Sequence, residues 1–132
     1  MKLATRCTIQ LPPWLPSFVE GWAGPLQTAR QRMALAVALS AENTRQKTGG
    51  PFGAIVVQEQ DGALVGAGVN VVTAAGLSLA HAEVVALSMA QAAVGGWNLG
   101  QGARMQLVTS CEPCAMCFGA VPWSGVNSML CG

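Results

Sequence analysis

Residues 109–117 read Thr-Ser-Cys-Glu-Pro-Cys-Ala-Met-Cys, so three of the five cysteines, Cys111, Cys114 and Cys117, fall within seven residues. The one histidine, His81, lies far upstream in an Ala-His-Ala-Glu run. A fold that uses the histidine together with the cysteines must carry two distant segments to one point. Each segment opens a predicted helix. Cysteines at i and i+3 in a first helical turn project from one face, where the positive end of the helix favours the thiolates that zinc requires. Pro113 suits a helix start, where its missing N–H costs nothing.

His81 and Glu83 are two positions apart, which turns them roughly 200° from each other on a regular helix. They converge only if a metal sits above the helix N-terminus, ligated by the imidazole, with the carboxylate reaching the fourth ligand. His81, Cys114 and Cys117 fill three of zinc's four positions and leave one for water, the catalytic arrangement. Taken alone, the residues also permit a structural zinc knuckle closed by Cys111 as a fourth sulfur, or a redox pair. Iron–sulfur ligation lacks its usual fourth cysteine, since 118–121 contains none.

A chain of 132 residues accommodates one domain, read here as an N-terminal arm over 1–27 and a zinc-binding core over 28–132. Apolar residues make up 52% and charged residues 10%, which excludes disorder. The net charge of +1, with no run of like charge, argues against nucleic acid or anionic lipid as a partner. No stretch of about 20 residues stays apolar, so no membrane span is expected. Pro12, Pro13 and Pro16 break any secretory leader, and the expected compartment is the cytoplasm. In that reducing setting clustered cysteines point to metal or catalysis rather than disulfides.

The Pro- and Trp-rich arm has no steady period and reads as irregular, packing through Trp14, Phe18 and Trp22. A helix is predicted from Thr28 to about Lys47. Two strands follow, Phe52–Val57 and Leu64–Val72, joined by a short hairpin at Gln60-Asp61-Gly62. Ala80–Val94 is a second helix, ended by Gly95-Gly96. Met105–Thr109 is a buried strand, Pro113 to about Val121 a third helix, and Val126–Cys131 begins another strand.

With these residues in place a family resemblance emerges. His-x-Glu followed by Pro-Cys-x2-Cys, 29 residues apart, resembles the zinc-dependent cytidine-deaminase-like superfamily. Within it, GGPFGA at 49–54, AHAEVVAL at 80–87 and TSCEPCAMCFGAVPWSGV at 109–126 resemble bacterial guanine deaminases, as does LPPWL at 11–15 in one subgroup. The resemblance implies a three-layer α/β/α fold with a central mixed sheet. It implies one zinc per chain on His81, Cys114 and Cys117, with no ligand role for Cys111, and Glu83 as the proton carrier. It also implies a homodimer acting on a small-molecule nucleobase.

The implied reaction is hydrolytic deamination, most simply of guanine to xanthine and ammonia. By the same resemblance Asn70 contacts the base edge and Phe52 and Trp123 sandwich the ring. The backbone N–H groups of Ala82 and Cys114, at predicted helix starts, are expected to donate to the reacting oxygen or the substrate. Two alternatives stand beside it: an RNA adenosine deaminase, and an inactive remnant in which zinc only staples the fold. The family continues past the position of Gly132 with elements that help close the pocket. The expectation is therefore of a fragment lacking those elements, with an apolar last strand that seeks a partner.

Overall fold

In the computed structural model, which describes residues 1–132, β1 (Gly53–Gln58) and β2 (Leu64–Val69) form an antiparallel hairpin. β1 also pairs antiparallel with β3 (Met105–Thr109), while β4 (Ser128–Cys131) runs parallel to β3. The sheet is mixed, in the order β2-β1-β3-β4. Alternation along β1 sends Ile55 and Val57 into one core and Ala54 and Val56 into the other. Both sets are buried, which is why β1 reads in sequence as a continuous apolar run.

One face is covered by α2 (Ala29–Arg45), which buries Leu35, Ala36 and Leu39. Its start is set by a capping box, in which the Thr28 hydroxyl accepts from the Gln31 backbone and the Gln31 side chain accepts from the Thr28 N–H. α4 (Ala82–Val94) packs its alanines, Ala82, Ala86 and Ala90, into the second core. α5 (Ala115–Ser124) lies on the same side, with Ala120 and Val121 against that core. The result is the expected three-layer arrangement. The approach of α4 is unusually close. A Cβ at Gly68 would stand 2.5 Å from the Ala82 carbonyl, and one at Gly66 2.7 Å from that of Ala86. Two glycines in β2 thus set the position of the α4 N-terminus.

The arm is more regular than its sequence suggests, for it contains α1 (Leu15–Glu20). Pro16 falls in the first turn, where a missing N–H breaks no hydrogen bond, so a proline-rich segment still starts a helix. Leu15 is buried, and Trp14 meets Phe18 edge to face at 5.6 Å while Phe18 and Trp22 lie 6.3 Å apart. All three rings pack on the α2-side core, as expected.

Other boundaries move for local reasons. β2 stops at Val69, short of the expected Val72, because the Asn70 side chain accepts a hydrogen bond from the Val72 N–H and turns the chain into α3 (Val72–Ala75). The apolarity of Val71 served burial, not strand pairing. α4 begins at Ala82 with His81 as its N-cap, and α5 begins at Ala115 with Cys114 as its N-cap, leaving Pro113 outside. α5 also runs on through Pro122 to Ser124, and β4 starts at Ser128 instead of Val126. No helix is long and apolar enough to cross a membrane.

Candidate metal centre

The N-termini of α4 and α5 meet at one end of the sheet, and the residues that meet there are their caps. His81 and Cys114 both have extended backbone, with ψ of 156° and 171°. Because His81 lies outside the helical turn, the rotation that separates it from Glu83 on a regular helix does not apply. His81 Nδ1 stands 3.6 Å from Cys114 Sγ and 3.6 Å from Cys117 Sγ. The three donor atoms all lie within 4.8 Å of one another. Tetrahedral zinc with Zn–N of about 2.0–2.1 Å and Zn–S of about 2.3 Å needs N···S edges of about 3.6 Å. The donor set, one imidazole and two sulfurs, is also one that zinc prefers. These residues fit the metal.

Burial and charge around the donors differ sharply. Cys114 is exposed, and hydrogen bonding from the backbone N–H of Cys117 pulls its thiol below the usual range. Cys117 is fully buried, and burial, with the Glu83 charge second, pushes its thiol far up. Its sulfhydryl donates to Glu83 Oε2 at 3.4 Å. Glu83 is itself only 6% exposed, an acid held in the interior beside the donor set but not within it. Cys111 stands apart from the donor group, its thiol raised first by burial and then by Glu83.

The substrate-side candidates divide. Asn70 and Phe52 come together, the Asn70 N–H donating to the Phe52 carbonyl at 3.2 Å. They reach the metal centre through the next residue, since the Val71 N–H donates to the carbonyl of Ala80, the neighbour of His81. Phe52 is 40% exposed, available to a ring. Ala82 is buried at the first position of α4, where its N–H has no intrahelical acceptor, and the cap Cys114 has the same freedom.

Trp123 sits near the C-terminal end of α5, nine residues and about 13 Å of helix from Cys114. It is 85% exposed and lines a shallow depression with Val84, Leu87, Ser88 and Gln91, beside the α4 turn that carries Glu83. Phe52 is not among the residues that line this depression.

Comparison with known proteins matches residues 26–132 to the cytidine and deoxycytidylate deaminase zinc-binding region. The chain belongs to this deaminase family. Among its relatives, the guanine deaminase of Bacillus subtilis is 44% identical over 89 residues, 67% of this chain and 54% of the relative. A tRNA-specific adenosine deaminase of Streptococcus pyogenes is 33% identical over 92 residues, 70% of this chain and 55% of the relative. A solved structure of guanine deaminase from Nitrosomonas europaea superposes with a TM-score of 0.88 at 39% identity, covering 100% of this chain and 72% of that one. The chain thus spans about half the length of these curated relatives.

Placing the deaminase motif on the fold also exposes a polar residue that sequence reading passed over. Asn43 is fully buried near the end of α2 and donates to the backbone carbonyls of Gly50 and Asn70, 2.9 Å each. The signal was present: Asn43 continues the face of Leu35, Ala36 and Leu39 at i+4 and i+7. A polar residue on a buried stripe needs partners.

Proposed function

We propose that the protein is a zinc-dependent hydrolase that deaminates a free nucleobase, guanine, to xanthine and ammonia, as a cytoplasmic homodimer with its zinc-binding core in 28–132. The observation that carries this reading is the buried Glu83 carboxylate, 3.4 Å from Cys117 Sγ and beside a three-donor zinc set. A purely structural zinc site is closed by four protein ligands and has no use for such an acid. The likeness to two guanine deaminases supports guanine as the base.

His81, Cys114 and Cys117 would hold the metal. Zinc, when bound, supplies the Lewis acidity that makes water a nucleophile near neutral pH. Glu83 takes a proton from the attacking water and passes it to the ring nitrogen beside C2, the carbon that carries the amino group. The C–O bond forms first, as the C2–nitrogen double bond opens and the ring nitrogen takes the proton. The C–N bond to the amino group breaks afterwards, and ammonia leaves with its third hydrogen from the hydroxyl that the same water supplied. The Asn70 Oδ1 accepts from Val72, so its amide donors remain for a ring acceptor. Phe52 offers a face for stacking, and the free N–H groups of Ala82 and Cys114 can donate to oxygen.

Subunit pairing is supported by apolar rings on the outer side of the molecule: Phe118 is 60% exposed, Trp97 74% and Trp123 85%. The deciding experiment is ammonia release by the zinc-loaded protein from guanine, adenine, cytosine, cytidine and adenosine. Guanine turnover with the others at background is the expected result. Preference for adenosine would transfer the site to RNA chemistry, and release from none would sink the enzyme reading.

A further inference from the structure

The amide of Asn43 is the centre of a hydrogen-bond relay from the N-terminal arm to the substrate side of the site. The Trp14 indole donates to Thr48 Oγ1 at 2.9 Å, and the Thr48 hydroxyl donates to Asn43 Oδ1 at 2.7 Å. Asn43 Nδ2 then donates at 2.9 Å both to the Gly50 carbonyl and to the Asn70 carbonyl. Direction along the relay follows from its far end. The Gly50 and Asn70 carbonyls can only accept, so they take the two N–H bonds of the Asn43 amide and leave its oxygen facing Thr48. The Thr48 hydroxyl must then donate to that oxygen, while one of its lone pairs accepts from the Trp14 indole.

The turn is built for this contact. Lys47 adopts φ of +57°, unusual for a residue with a side chain, and so returns Thr48 over the end of α2. The Thr48 N–H donates to the Asn43 carbonyl at 3.0 Å, which holds the hydroxyl over the amide. At Gly49 a Cβ would collide with the Asn70 carbonyl and stand 2.8 Å from Asn43 Nδ2, so the turn lies directly on them. The Gly50 carbonyl also accepts from the Phe52 N–H at 2.8 Å, and Phe52 in turn accepts from Asn70. One buried amide therefore ties together the backbones of Phe52 and Asn70.

We infer that Asn43 is a positioning residue for the substrate side of the site, oriented by Trp14 and Thr48, so that the arm helps to set base binding. This rests on Asn70 and Phe52 contacting the base, as proposed above. The whole zinc-loaded protein tests it through Thr48→Val, which removes the hydroxyl that orients Asn43, and Thr48→Ser, which keeps it. Loss of one neutral hydrogen bond on the binding side should raise KM for guanine about fivefold with kcat within about twofold. Amide hydrogen exchange at Phe52 and Asn70 should quicken by a similar factor, with zinc content unchanged. Thr48→Ser should behave as the parent in both measurements.

If Thr48→Val does not fold, Trp14→Phe carries the test, expected to move KM and exchange in the same direction by about twofold. An unchanged KM in a variant of an active parent, or unchanged exchange at Phe52 and Asn70, overturns the positioning role alone. A fall in kcat at constant KM does so as well. A parent that turns over no guanine removes the proposed function, and the positioning role with it.

Discussion

Glu83 Oε2 stands 3.4 Å from Cys117 Sγ across 34 positions of sequence, the second residue of α4 against the third of α5. Glu83→Gln should therefore retain zinc, since the amide fills the same space and is not a ligand. It should lower kcat on the order of a hundredfold or more, because an amide does not shuttle protons. Steady-state turnover paired with metal analysis of the same sample checks this. A variant that keeps its rate would move the proton carrier to another acid.

Removal of donors should separate cysteines that sequence spacing alone leaves equivalent. Cys117→Ser and Cys114→Ser should lose zinc, and Cys111→Ser should keep one zinc per chain, as elemental analysis would read. Zinc uptake by the metal-free protein should also release protons, because burial keeps the Cys117 thiol protonated until a metal takes its place. Proton release in weakly buffered solution measures that directly.

Gly68→Ala should destabilise the fold by about 1–3 kcal/mol, the usual cost of overpacking a filled interior. The added methyl group meets the α4 backbone at Ala82 and Ala86. Since that backbone carries His81 and Glu83, zinc affinity should fall as well. Urea unfolding with and without chelator distinguishes the two effects, and an unchanged midpoint would show that α4 can shift without cost.

Glu59 gives the fold an acid-sensitive link. Its carboxylate accepts from the Ser128 hydroxyl and pairs with Arg104 at 2.9 Å, and these hold its pKa below the ordinary carboxylate value of 4.5, the serine contributing most. A pKa depressed in the folded state contributes stability above the unfolded value and loses it as pH falls through the folded one. Glu59→Gln should accordingly flatten the acid limb of the unfolding midpoint below about pH 4.5 and leave its shape above that unaltered. An acid limb of the same slope in both proteins would contradict the assignment.

The exposed rings of α5 should be covered in solution. Light scattering is expected to give a dimer, and Trp123→Ser should shift it toward monomer with zinc retained. A monomer at all concentrations for the parent protein would leave Trp123 without that role.

Much of the fold was legible because its elements are dictated locally. The capping box at Thr28 and Gln31, the buried run of β1, the glycine after Val94 and the strand Met105–Thr109 all act within a few residues. Legibility failed where distant groups decided, as in the Pro-rich arm, which contains α1 because Leu15 and its rings find a core to pack on. It failed locally at the end of β2, where an apolar run hid the turn that the Asn70 side chain makes with the Val72 N–H.

The candidate site shows the same division. Sequence by itself determined the chemistry: one histidine, a Cys-x2-Cys pair after proline and an acid two residues beyond the histidine specify a zinc-binding deaminase motif. Residue type sets which atoms can bind a metal or carry a proton, and that needs no coordinates. Only the tertiary structure decided that His81 and Cys114 are caps, not helical residues, so that imidazole, thiolates and carboxylate converge. Only it joined Trp14, Thr48 and Asn43 to Asn70. Those relations depend on how helices pack on the sheet. Close approach at Gly66 and Gly68, and burial of a single amide, are products of the whole chain folding at once.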